Sequence, residues 1–150
     1  MRAVIQRVKK ASVAIEDKCI AKINEGLLVL IGIEINDNGQ DIEWLANKII
    51  GLRIFNDENN KMNCSVKDQQ GNIIIVSQFT LHASTQKGYR PSFMRAATPE
   101  HAIPIYNKFI RVCEEKLEKP IQTGKFGANM TIDLSNDGPV TIIIDSLNKE

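Results

Sequence analysis

A chain of 150 residues with a formal net charge of +1 has the length of one ordinary domain and lacks the charge of a protein that coats nucleic acid. Hydrophobic residues at 43% and charged residues at 25% exclude both a disordered tail and a membrane protein, leaving a compact globule. A local basic patch is compatible with that balance.

The opening segment "RAVIQRVKKASVAIE" contains two β-patterned pieces, "KCIAKI" a shorter one, and "LLVLIGI" after Gly26 is a continuous apolar run suited to a buried strand. Within "NDNGQDIEWLANKIIGLRIF", Ile42, Leu45 and Ile49 recur at helical spacing behind Asn and Asp residues able to cap a first turn. The polar run from Asn56 to Gly71 reads as a loop or hairpin excursion. "NIIIVSQFTL" returns to a buried strand and ends in polar groups. The segment "HASTQKGYRPSFMRAA", broken by Gly88 and Pro91, is long for a structureless loop, and such loops in compact domains tend to be functional.

Thr98 then caps and Pro99 opens a helix whose stripe of Ala102, Ile105, Tyr106, Phe109 and Cys113 is core, ending before Pro120. A glycine-containing turn, "TGKFGANM", leads into two strands placed around Gly138-Pro139. Strands outnumber helices and their order is mixed. The fold class is therefore α+β, a single domain of mostly antiparallel, barrel-like β-sheet covered by two main helices.

Candidate chemistry is sparse. His82 and His101 are the only histidines, and Cys19, Cys64 and Cys113 form no ligand-spaced pair, so a metal site has little to be made from. The three cysteines read instead as reduced thiols of a cytoplasmic protein, and the charged opening "MRAVIQRVKKASVAIED" fits neither a signal peptide nor a membrane span. Ser77, Thr80 and His82 lie close in sequence, yet the G-x-S-x-G elbow is missing and a strand would send Ser77 and His82 to opposite faces. Backbone amides at the irregular end "SQFT" offer another route, because an ester hydrolase needs donors where charge grows on the carbonyl oxygen. Lys87, Arg90 and Arg95, set around Tyr89 and Phe93, are equally compatible with RNA contact and with a solvated loop.

The stretch "SNDGPVT" carries two readings. Asp137-Gly138 is the chemistry of a tight hairpin turn, with Pro139 tolerated at a sheet edge. Alternatively the Gly138-Pro139 bond is cis, Gly138 removes an obstructing Cβ, and Pro139 removes a donor, leaving two carbonyls to accept from an ammonium group.

"SQFTL" at 77–81, "KGYRPSF" at 87–93 and "NDGPVT" at 136–141, with the opening "MRAVIQRV" and "GKFGANM", together resemble the D-aminoacyl-tRNA deacylase family along the whole chain. The resemblance implies a homodimer acting on the aminoacylated 3′ end of tRNA, with no cofactor, no DNA partner and no membrane. It implies that Gly138 and Pro139 of one subunit enter the pocket of the other as a chiral filter, braced by Arg7. Phe126 and Met130 would line that pocket, and the amides of Ser77, Gln78 and Phe79 would face the ester and the terminal adenosine. Thr80 is a candidate nucleophile with no visible base, against a route in which the ribose 2′-hydroxyl activates water. Glycyl-tRNA, above all glycine mischarged on alanine tRNA, is an implied substrate.

Overall fold

The computed structural model describes residues 1–150. Its chain order is β1 (Arg2–Ile15), β2 (Lys18–Ile23), β3 (Gly26–Gly32), α1 (Gly39–Gly51), β4 (Phe55–Asn56), β5 (Met62–Cys64), β6 (Asn72–Ser77), α2 (Pro99–Leu117), β7 (Gln122–Thr123) and β8 (Thr131–Asp145), with a 3-10 turn at Phe79–His82.

The main sheet has the order β2-β1-β3-β6-β7, with β8 also paired to β1. β1 is the spine. β8 runs antiparallel along one of its edges from Arg2↔Asp145 to Ala14↔Thr131, while β3 takes the other edge near Arg2–Val8 and β2 takes it near Ala11–Ile15. The pieces expected in the opening segment are thus one long strand that changes partner midway. β3–β6 and β6–β7 pair in parallel, so the sheet is mixed. It wraps toward a nearly closed barrel, and the amide of Lys22 in β2 reaches the Gln122 side chain of β7 at 3.4 Å. β4 and β5 form the separate hairpin within the polar excursion.

The two faces of the sheet bury two apolar clusters. Leu27, Val29 and Ile31 of β3 and Ile73 and Ile75 of β6 point to the larger cluster beneath the helices, while Leu28, Ile74 and Val76 point to a smaller one with Val8, Val13 and Ile23. Burial on both faces explains why these strands read as unbroken apolar runs. Asn38 caps α1 through a reciprocal box with Asp41, and Ile42, Leu45 and Ile49 are buried as the spacing predicts. In α2 the buried face is Ala102, Tyr106, Phe109, Val112, Cys113 and Leu117, with Ile105 only partly covered. The Thr98 side chain makes no capping bond, contrary to expectation. Its carbonyl instead accepts from His101 and Ala102 at 3.0 and 2.8 Å, behind a Pro99 whose fixed φ suits a first helical residue. Lys116 of α2 meets Glu43 of α1 at 3.0 Å. No helix is long and apolar enough to cross a membrane.

The hairpin reading of Asp137-Gly138 is corrected by the register. The chain does not reverse there, since both halves of β8 pair with β1. Gln6 pairs with Thr141 and Val8 with Asn136, so residues 137–140 bulge out opposite Arg7 alone. The Gly138–Pro139 bond at the top of that bulge is cis.

Candidate active site

Parallel strand β6 ends at Ser77, and the sheet's apolar order ends with it. The Gln78 amide still donates to Ile31 O at 2.7 Å, extending the ladder one residue. The chain then tightens into the 3-10 turn, whose amides at Phe79 and Thr80 donate to no carbonyl or side chain of the protein. These two N–H groups, rather than the Gln78 amide, are available to a ligand. Thr80 is exposed, and its hydroxyl accepts from Gln78 Nε2 at 2.6 Å.

Beside the turn lies a mostly apolar cavity of about 590 Å³, lined by Ser77, Gln78, Phe79, Phe93, Phe126 and Met130 among others. Phe126 is fixed by an edge contact with Tyr106 of α2 at 5.6 Å, and Tyr106 is itself anchored by its hydroxyl to Ile75 O at 3.0 Å. Phe79 and Phe93 meet edge to face at 5.1 Å, so the long loop forms part of the cavity wall. Arg2 secures the turn from behind: Nη1 donates to Leu81 O at 2.7 Å, while Nε and Nη2 hold Asp145 Oδ2 at 3.0 and 2.8 Å. Partial burial would raise the Asp145 carboxyl, but the Arg2 bonds and the Leu147 amide together hold it below the usual carboxylate range.

The second group of expected residues sits apart. Gly138 and Pro139 are exposed and do not line the cavity of their own chain. Arg7, 6% exposed, braces the bulge: Nε donates to Asp137 O at 3.0 Å and lies 3.3 Å from Asp137 Oδ2, while Nη1 donates to Ile54 O. Asn136 Nδ2 donates to Val140 O at 3.1 Å. The carbonyls flanking the bulge are thereby held by side chains, and no side-chain donor reaches those of Gly138 and Pro139. Gly138 has φ +137°, and a Cβ there would lie 2.9 Å from Val140 N and 3.3 Å from Arg7 Nη2.

His82 takes no part in a serine triad. It is buried, with Nδ1 3.0 Å from Glu34 Oε1, and the same oxygen is in contact with Arg95 Nη2. Arg95 is therefore paired, which leaves Lys87 and Arg90 as the unpaired cations flanking the fully exposed Tyr89. Glu34 was not singled out in the sequence. The available signal was a lone carboxylate closing an apolar strand run, since a charge buried there requires partners. No three of His, Cys, Asp and Glu gather as metal ligands.

The family model described as D-Tyr-tRNA(Tyr) deacylase matches residues 4–145. A protein of Flavobacterium psychrophilum named D-aminoacyl-tRNA deacylase is 61% identical over 150 residues, covering 100% of both chains. One of the same name from Parabacteroides distasonis is 61% identical over 153 residues, again covering 100% of each. Among solved structures, the c-Myc DNA unwinding element binding protein superposes with a TM-score of 0.91 at 42% identity, covering 97% of this chain and 98% of that one. A probable eukaryotic D-amino acid tRNA deacylase, at 16% identity and a TM-score of 0.82 over 95% of this chain and 97% of that one, shares the fold. From its β1 spine to its bulged last strand, the chain belongs to the D-Tyr-tRNA(Tyr) deacylase family.

Proposed function

We propose that the protein hydrolyses the ester bond of D-aminoacyl-tRNA, releasing a free D-amino acid and tRNA. The observation that carries this reading is the pair of unclaimed amides, Phe79 and Thr80, at the edge of an apolar cavity that offers no side-chain base. Water adds to the ester carbonyl carbon, and the developing oxyanion is met by these donors. The tetrahedral intermediate then collapses, the bond to the ribose 3′-oxygen breaks, and that oxygen takes the proton released by water. With His82 turned to Glu34, the ribose 2′-hydroxyl of the terminal adenosine is the group that guides the proton. Thr80 is then no nucleophile. A Thr80→Val variant keeps its turnover number within about tenfold of the parent, whereas loss of a true nucleophile lowers it by about a thousandfold or more.

Stereochemistry would come from a second copy. The Gly138 and Pro139 carbonyls stand on an exposed bulge away from their own cavity, and Ile143, four residues further along β8, is 68% exposed, as a homodimer interface on this side would require. Inserted into a partner's cavity, the two carbonyls accept from the substrate ammonium and occupy the space an L side chain needs. D side chains point outward, so selection works by rejection and is broad among D residues. Glycine has nothing to reject, which makes glycyl-tRNA, including glycine mischarged on alanine tRNA, a substrate. Lys87 and Arg90 beside Tyr89 suit the phosphates and a base of the RNA end.

Release of amino acid from D-tyrosyl-tRNA, L-tyrosyl-tRNA and free D-tyrosine ester tests the reading. Rapid hydrolysis of the first alone is expected. Equal, negligible hydrolysis of both tRNA esters overturns it in favour of an RNA-binding module, and equal activity on the free ester makes the protein a small-molecule esterase.

A further inference from the structure

Glu34 lies just beyond β3 with only 7% of its surface exposed, in a neighbourhood where a carboxylate requires compensation. Its backbone is fixed: the amide donates to Asp37 Oδ2 at 2.6 Å, and an isolated bridge pairs it with Ala96. Its side chain meets two cationic or protonatable groups through one oxygen, His82 Nδ1 at 3.0 Å and Arg95 Nη2 in closer contact. These are close approaches rather than directed hydrogen bonds, since Oε1 and both ring nitrogens of His82 have no partner along a donor axis.

The two partners belong to two segments that border the cavity, the 3-10 turn and the long loop. His82 closes the 3-10 turn that carries the Phe79 and Thr80 amides. Arg95 sits two residues after Phe93 and one before Ala96, both of which line the cavity. The imidazole packs close over Gly32, where a Cβ would lie 3.0 Å from His82 Cδ2 and Nε2 and 3.0 Å from Gln78 O. Neither Glu34, His82 nor Arg95 lines the cavity itself.

We infer that Glu34 is a positioning residue that clamps the amide-bearing turn to the long loop, through His82 on one side and Arg95 on the other. Its catalytic consequence rests on the deacylase reading; its mechanical one does not. Releasing Arg95 frees the loop and leaves the carboxylate with a single partner, so that Glu34 holds the turn less firmly. Misplacement of the amides falls on the transition state rather than on substrate affinity, since the oxyanion exists only there.

The test uses Arg95→Met, a change at a side chain that is 57% exposed, together with Glu34→Gln and His82→Gln. Hydrogen–deuterium exchange is followed over residues 78–83 and 93–97, and kcat and KM are measured on D-tyrosyl-tRNA. For Arg95→Met, exchange accelerates in both segments, and kcat falls about tenfold while KM changes less than about threefold. Arg95→Lys restores part of the loss. The His82→Gln, Arg95→Met double variant is no worse than about twofold below its poorer parent, because both act through one carboxylate. Faster exchange confined to 93–97, or losses that multiply in the double variant, overturns the clamp. Should Glu34→Gln fail to fold, Arg95→Met decides alone. Should the parent protein leave D-tyrosyl-tRNA intact, the deacylase reading falls and the exchange pattern still decides the clamp.

Discussion

Arg7 ties three stretches of backbone with one guanidinium: its own strand, the Asp137 carbonyl of the bulge, and the Ile54 carbonyl beyond α1. Being buried, it has no solvent to take over these bonds. Arg7→Met leaves two carbonyls without their charged donor and is expected to destabilise the fold by about 3 kcal/mol in urea unfolding. Arg7→Lys keeps the charge without the fork and loses about half of that, with turnover on D-tyrosyl-tRNA reduced more than stability. Residues such as Arg7 mark the limit of what local pattern reveals. Ser77, Gln78, Phe79, Phe126 and Met130 were gathered by resemblance and share one cavity. The role of Glu34 is not legible locally because its partners, His82 and Arg95, lie 48 and 61 positions away in the chain. The commitment of the Gln78 amide to Ile31 was invisible for the same reason.

At the scale of elements, period and caps were legible where burial is one-sided or local. α1 follows its Asn38–Asp41 box, and α2 its apolar stripe. Strand pairing was not, because β3 and β6 are apolar on both faces and nothing in such a run names its neighbour or its direction. β8 reads in the sequence as two strands because Asp-Gly is turn chemistry, and only the register against β1 shows a bulge. The buried face of α2 carries a pH dependence. Burial pushes the Tyr106 phenol up from 10.0 to about 12 and the Cys113 thiol up from 9.0 to about 12. Above those ordinary values the unfolded chain loses protons that the folded one retains, so stability falls as pH rises. The slope reaches at most about 1.4 kcal/mol per pH unit for each group. Thermal melts between pH 8 and pH 11 should show a Tm that declines from about pH 9 upward. Exposed Cys19 should react with iodoacetamide in the native protein, and Cys113 only on unfolding.

For the whole molecule, the separation of bulge and cavity makes a prediction about copies. A Gly138→Ala subunit places a Cβ 2.8 Å from Val140 Cγ2 and spoils the bulge but keeps its cavity, while a Phe79→Asp subunit spoils the cavity wall and keeps its bulge. In the dimer proposed above, each variant alone is expected to be nearly inactive on D-tyrosyl-tRNA. Co-expressed, half of the dimers are mixed and each holds one intact site, so activity returns to about a quarter of the parent. No recovery would mean that the bulge serves its own chain.

The pairing of Arg2 with Asp145 also orders events in time. β8 follows every other strand of the sheet off the ribosome, so one full edge of β1 stays unsatisfied until all of them have been made. On a crowded polysome that open edge can be met by the final strand of a neighbouring nascent chain. Slow release or high local concentration is therefore expected to promote strand exchange during synthesis.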